Sequence, residues 1–228
     1  MAVNAFSFGL GTFWSSITNS LALEALELTL VISVIVAAIG AVMGTVVAWV
    51  LVRDRFPGQR YINSLIDLPF ALPTIVAGLT LLALYGTGSP VGVNIAFTRT
   101  IVVVALLFVT LPFVVRSVQP VLLELDQEVE EAAASLGAST GMTFRRIVLP
   151  ALRPAILSGA ALSFARAVGE IGTLLILAGK IQIASLVIYA DVEGDANQSA
   201  AALAVVLLFF SLLILYGMRR FGKARIAH

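Results

Sequence analysis

The sequence predicts an all-α, polytopic membrane protein of about five transmembrane helices with one polar elbow between them. Three observations predict it. The 228 residues are 60% hydrophobic and 12% charged, against about 45–50% and 25% in soluble domains. Uncharged apolar runs recur, each of roughly the 20 residues that a bilayer core requires. The basic residues gather on alternate connections between those runs.

Residues 1–27 read as an external N-terminal segment. They lack the basic start and clean apolar run of a signal peptide, and Phe6, Phe8, Phe13 and Trp14 suit a membrane interface. Glu24 and Glu27 precede the first run, Leu28 to Val52. Arg53, Arg55 and Arg60 follow with Pro57-Gly58 as a short basic turn. The second span is predicted from Ser64 to Tyr85 and contains Pro69 and Pro73. Each proline removes a backbone donor, and irregular backbone within a bilayer is tolerated where protein or a wet cavity covers it. Two roles stand open for this pair: a kink used for packing, or a lining of the translocation path. A loop from Gly86 to Thr98 leads to the third span, Thr100 to Gln119, with Pro112 inside and Arg116 near its end. The fourth, Ala155 to Gly179, carries Arg166 and Glu170. Ile181 to Tyr189 is too short to cross and suits an interfacial helix, followed by Asp191, Glu193 and Asp195. The fifth runs from Ala200 to Met218. Residues 28–218 thus form one transmembrane domain, and 219–228 a basic tail with Arg219, Arg220, Lys223 and Arg225.

The polar loop 120–150 organises the chain. From Glu124 to Leu136, apolar residues at Leu125, Val129, Ala132 and Leu136 make a helical stripe. The other face carries Glu124, Asp126, Glu128, Glu130 and Glu131. Gly137 supplies the left-handed position that ends such a helix. Ser139 or Thr140 caps a second short helix with Arg145 and Arg146, which Pro150 closes. An apolar stripe on a polar loop must dock on something.

Five alternating spans place Arg53, Arg55, Arg60, Arg116, Arg145, Arg146, Arg153, Arg219, Arg220, Lys223 and Arg225 on one side, and Arg99 and Lys180 on the other. Positive charge marks the cytoplasmic side, so the loop 120–150 and the C-terminus are expected inside and the N-terminus outside. The chain has no cysteine, and its one histidine is His228. Disulfides, thiolate metal sites and a His-centred triad are excluded, so no catalytic residue, metal or cofactor is expected. Ser163 lies inside a span, where hydroxyls ordinarily bond the preceding turn. No Walker phosphate loop is present, so ATP chemistry must come from a partner. A channel or secondary carrier remains the alternative from another class, but it needs no docking elbow.

Glu131-Ala132-Ala133, three residues, Gly137, nine residues and Ile147-Val148-Leu149-Pro150 resemble the cytoplasmic EAA loop of binding-protein-dependent ABC importer permeases, at every fixed position. Asp67 to Thr74, Val76 to Leu79, Pro112 to Leu122, and Ser163-Phe164-Ala165-Arg166 with Gly169-Glu170-Ile171-Gly172 resemble the sulfate/thiosulfate (CysT-type) subfamily over roughly residues 20–225. Molybdate/tungstate permeases share part of that neighbourhood and are the alternative. Two departures stand out. Ile171 occupies a place where the subfamily usually has Phe, and the N-terminal span common in relatives is not apparent before the five-helix, MetI-like core. The resemblance implies two permease subunits (this chain with a CysW-like partner or a copy of itself), two ABC ATPase subunits and an extracytoplasmic sulfate-binding protein. It also implies a multi-pass protein of the bacterial inner membrane. By resemblance, Glu131, Ala132, Ala133, Gly137, Ile147, Leu149 and Pro150 make the ATPase-coupling contact.

Arg166 and Glu170 hold the membrane-embedded charge. Arg166 lies twelve residues after Pro154, about 18 Å up a helix and near the middle of a core about 30 Å thick. A lone arginine there costs about 2.5–3.5 kcal/mol and needs a partner or a wet cavity. Glu170, one turn on, faces the same way. The pair is either internal scaffold, with Gly169 and Gly172 allowing close helix packing, or a positive site on the translocation path kept weak by its acid.

Overall fold

A bilayer core offers no partners to backbone N–H and C=O groups, so apolar runs satisfy themselves as helices. The computed structural model describes residues 10–223, and every regular element among them is helical. In chain order these are α1 (Leu10–Thr18), α2 (Ser20–Arg53), α3 (Gln59–Leu65), α4 (Leu68–Ala71), α5 (Thr74–Tyr85), α6 (Arg99–Glu124), α7 (Gln127–Ser135), α8 (Thr140–Thr143), a π turn (Phe144–Val148), α9 (Leu149–Val168), α10 (Gly172–Leu177), α11 (Ala184–Glu193) and α12 (Asn197–Lys223). Phe6 and Phe8 of the expected interfacial segment, and Arg225 of the basic tail, lie outside the described residues.

Among the described residues, four runs are long and apolar enough to cross a membrane: Ser20–Arg53, Arg99–Glu124, Thr140–Val168 and Asn197–Met218. The first starts earlier than its uncharged run, because the Asn19 side chain accepts from Ala22 N at 2.7 Å and caps it there. Thr98 does the same for Ile101 N at 3.4 Å.

The predicted second span, Ser64 to Tyr85, is not one helix. It is segmented into α3, α4 and α5. Leu72 is extended (φ −90°, ψ 135°), as the residue before a proline prefers, and this separates α4 from α5. Pro69 sits in the first turn of α4, where its missing donor costs nothing. At about 1.5 Å per residue, α5 alone reaches only part of a bilayer core, so the second predicted span is this segmented path rather than one helix.

The fourth span also departs from expectation. Pro150 does not close the second elbow helix; the chain winds on from Thr140 to Val168. The π turn Phe144–Val148 precedes α9, and Pro150 falls in the first turn of α9. The wider turn and that position relieve the clash and the lost bond that a mid-helix proline imposes. Nor does one helix run from Ala155 to Gly179. Helix α9 ends at Val168, and Glu170 turns its carboxylate onto Thr173 N (2.9 Å) and Thr173 Oγ1 (2.7 Å). That starts α10 instead of prolonging α9. The expected interfacial helix is α11, shifted to Ala184–Glu193. Its first N–H, on Ala184, donates to Thr29 Oγ1 of α2 at 2.8 Å, which moors it to the bundle.

The centre of the bundle is α2, α6 and α9. Val114 of α6 is gripped between two glycines: a Cβ on Gly44 of α2 would lie 2.7 Å from Val114 Cβ, and one on Gly159 of α9 would lie 2.7 Å from Val114 Cα. Such approach is open only to glycine. Around this point Ala48, Leu51, Val115, Val118, Leu122, Val148 and Leu152 form a buried cluster. A second cluster, with Leu26, Phe164, Val187 and Leu203, joins α2 and α9 to α11 and α12.

Candidate coupling elbow and translocation path

The elbow begins at α7, three residues later than its stripe predicts. Glu124 stays in α6, Leu125 turns extended (φ −73°, ψ 116°), and Asp126 caps α7 by accepting from Glu128 N at 2.9 Å. Glu128 and Glu130 fall in the first turn, where negative charge complements the helix dipole. At the other end Gly137 has φ +85°. Gly137 N donates to Ala134 O (2.9 Å) and Ala138 N to Ala133 O (3.0 Å), the double bond of a Schellman cap. Of the two predicted caps for the next helix, Ser139 fills the role, accepting from Met142 N at 3.3 Å.

The stripe is largely unpartnered. Leu136 is 90% and Val129 47% exposed, and Ala132 is exposed beside Glu131 and Gly137, with Ala133 half-buried. Leu125 instead packs on the Val118–Leu122–Val148–Leu152 cluster. Ile147 and Leu149 are half-buried, Pro150 is exposed, and Val148 between them is fully buried. These residues root the elbow in the bundle. Glu130 departs from the polar face assigned to it. It turns inward and pairs with Arg53 Nη2 at 2.6 Å, and the same nitrogen donates to Leu125 O at 3.3 Å.

On the path side, Arg166 Nη1 and Glu170 Oε2 form the expected ion pair at 2.6 Å. It forms across a helix end rather than along one helix, since Glu170 lies beyond α9. Glu170 is buried, while the Arg166 side chain keeps a third of its surface exposed. Of the flanking glycines, Gly172 is in close approach, with the position of a Cβ 2.1 Å from Thr74 Oγ1, whereas Gly169 meets no other element. One exposed stripe on α9 runs through Pro154, Ser158, Leu162, Ala165 and Gly169, next to Arg166.

Pro69 lies inside α4 and Pro73 just beyond it, in a segment fastened by a cluster that no spacing announces. Arg116 of α6 donates from Nε to Asp67 Oδ1 (2.7 Å) and from Nη2 to Asp67 Oδ2 (2.5 Å). It also donates to Asn63 Oδ1 (3.0 Å), Asn63 O (2.7 Å) and Gln119 Oε1 (2.5 Å). All five guanidinium N–H groups are used, and Phe70 stacks edge-on against Phe113 at 5.1 Å. Arg116 counts in the sequence only as one more cytoplasmic charge; its partners Asp67 and Asn63 lie about fifty residues away in the chain. The clasp covers the segmented backbone that the prolines create.

Long apolar helices, a polar elbow with an unpartnered stripe and an ion pair across the end of α9 define a polytopic membrane protein with a surface left open for docking. The chain belongs to the family described as the binding-protein-dependent transport system inner membrane component, which matches residues 39–225. It is 47% identical to the sulfate transport system permease protein CysT of Synechococcus elongatus, over 92% of this chain and 80% of that one. It is 40% identical to the protein of that name from Escherichia coli, over 95% and 83%. The inward-facing MetNI methionine ABC transporter shares the fold at a TM-score of 0.71 and 22% identity, over 90% of this chain and 95% of that one. A bacterial alginate ABC transporter, solved with an alginate pentasaccharide-bound periplasmic protein, does so at 0.79 and 17%, over 98% and 88%. The chain is therefore a multi-pass membrane component of an ABC-type transport system.

Proposed function

We propose that the chain is the permease subunit of an ATP-driven importer that moves sulfate or thiosulfate into the cytoplasm by alternating access. The anion class comes from the sulfate permease relatives; the exposed stripe Val129–Ala132–Leu136 carries the coupling part of the reading. Two ATPase subunits dock on the elbows of this chain and of a second permease, through Glu131, Ala132, Ala133 and Gly137, with Ile147, Leu149 and Pro150 as the root. Small alanines permit close approach, and Glu131 is free to meet a basic groove. ATP is hydrolysed on those partners, and the docked elbows bias a two-state bundle. The binding protein delivers the anion at the external face. The basic asymmetry supports a cytoplasmic C-terminus and elbow, an external N-terminal segment 1–27, a transmembrane domain 28–218 and a cytoplasmic tail 219–228. The α9 stripe beside Arg166, with Pro69 and Pro73 across the segmented crossing, lines the path.

The test is uptake of labelled sulfate by cells lacking their own sulfate permease, supplied with this chain, its second permease, its ATPase and its binding protein. Saturable sulfate uptake that thiosulfate competes is expected. Uptake of molybdate in preference to sulfate, or sulfate flux without the ATPase, contradicts the proposal.

A further inference from the structure

We propose that Trp49 and Arg53, at the end of α2, are positioning residues that receive the movement of the elbow and deliver it to the bundle. The inference rests on the elbow being the ATPase contact. The two residues are four apart and share one helix face. Arg53 holds the first arm of the elbow through Glu130 at 2.6 Å, and the end of α6 through Leu125 O at 3.3 Å. Its guanidinium also lies 5.8 Å from the centre of the Trp49 ring. Trp49 holds the second arm, edge-on against Phe144 of the π turn at 5.5 Å. One patch of α2 therefore grips both arms of the elbow.

Between the grip points lies space. A cavity of about 460 Å³ is lined by Thr45, Val46 and Trp49 of α2 and by Glu130, Ala134, Ala138 and Phe144 of the elbow. Besides its apolar root at Leu125 and Val148, the elbow meets this one patch of α2 with both arms, so part of a load on its outer stripe is passed to α2 there. The grip is also incomplete. Arg53 Nε is buried and has no hydrogen-bond partner among the described residues, so Glu130 is held by one bond where a guanidinium can offer two. Closure of α7 into the cavity supplies the second bond. The latch thus has a looser setting, seen here, and a tighter one within reach, which is what a two-state transmission needs.

The complex of this chain with its second permease, ATPase and loaded binding protein, in liposomes, tests this through sulfate moved per ATP hydrolysed. Glu130→Gln is expected to copurify with the ATPase as the parent does, yet to move about five-fold less sulfate per ATP or worse, the scale of one lost coupling contact. A purely structural role changes the amount of complex but not that ratio. A parental ratio in Glu130→Gln overturns the proposal, and so does a loss of uptake that follows a loss of bound ATPase. If Glu130→Gln fails to reach the membrane, Arg53→Lys, which keeps the charge but not the fork, is read by the same ratio with the same outcomes. Glu131→Lys separates the two levels. It should lose the ATPase; if it keeps both ATPase and uptake, the docking reading fails and the latch with it. If Glu131→Lys loses the ATPase while Glu130→Gln keeps the parental ratio, the latch alone fails.

Discussion

Gly159→Leu should leave no assembled permease. The position of a Cβ at 159 lies 2.7 Å from Val114 Cα, 3.1 Å from Phe113 O and 3.1 Å from Ser117 Cβ. Two of the three are backbone, so no rotamer change makes room and α9 must move away from α6. Overpacking of a tight core typically costs about 1–3 kcal/mol for small insertions, and Gly159→Ala already belongs there. Leucine adds three further carbons to the same wedge. Gly40→Ala is the matched control, one turn from Gly44 on α2. Its Cβ would sit 4.0 Å from Val114 Cγ2, an ordinary contact, so the substitution should gain the roughly 0.5–1 kcal/mol that alanine holds over glycine in a helix. Thermal midpoints of detergent-purified protein, read by the monodisperse fraction after heating, should order Gly40→Ala at or above the parent, Gly159→Ala below it, and Gly159→Leu absent from the membrane. Equal midpoints for Gly40→Ala and Gly159→Ala would mean that the three-helix contact is not the centre of the fold.

Glu170→Gln and Arg166→Gln should separate in opposite directions. Glu170 is buried and engaged three ways, by Arg166 and by two donors from Thr173, while its carbonyl accepts from Ser185 Oγ at 2.8 Å. Removing one partner of a buried pair costs about 3–5 kcal/mol when the other charge is stranded. Here the stranded charge in Glu170→Gln is Arg166, which keeps a third of its side chain exposed and so retains solvation. The glutamine oxygen still accepts from Thr173. The variant therefore assembles, with a cation on the α9 stripe that no acid balances. A dianion on the path then binds in a deeper well: KM falls and the maximal rate falls with it, by about ten-fold for each 1.4 kcal/mol of extra depth. Arg166→Gln leaves Glu170 on its two Thr173 donors and removes the cation, so KM for sulfate rises. If the pair is scaffold alone, both variants lose assembled protein and the remainder transports with an unchanged KM. A charge exchange between 166 and 170 is a poor test, because an arginine at 170 would point donors at the Thr173 N–H.

The sequence states the local features of this fold and conceals the long-range ones. Gly137 is readable because a Schellman cap is a matter of a few consecutive residues, and the Leu136 stripe because helical periodicity is local. The spacing of Arg166 and Glu170 suggests a pair along one unbroken helix, but α9 ends at Val168. The pair forms because the turn after Gly169 happens to return the carboxylate to the same side. Pro69 and Pro73 show that the second span is disturbed. Whether it kinks or breaks depends on the Arg116 clasp, which reaches Asn63 and Asp67 from a distant helix. Pro150 reads as a stop, and a π turn lets the chain pass it. Glu130 looks like one more solvated acid in an acidic helix; only Arg53, 77 residues away, reveals that it faces inward.

The elbow's outer stripe is expected to meet an ATPase, and the absence of cysteine from this chain makes that contact directly measurable. Leu136→Cys introduces the single thiol of this chain at the most exposed large apolar residue of the elbow. With a short thiol-directed cross-linker in the assembled complex, it should form an adduct with the ATPase subunit that nucleotide modulates. Leu213→Cys, exposed on α12 within a membrane-length run rather than on the elbow, should form none. An assembled complex in which Leu136→Cys yields no ATPase adduct, or in which Leu213→Cys yields the same one, contradicts the central claim.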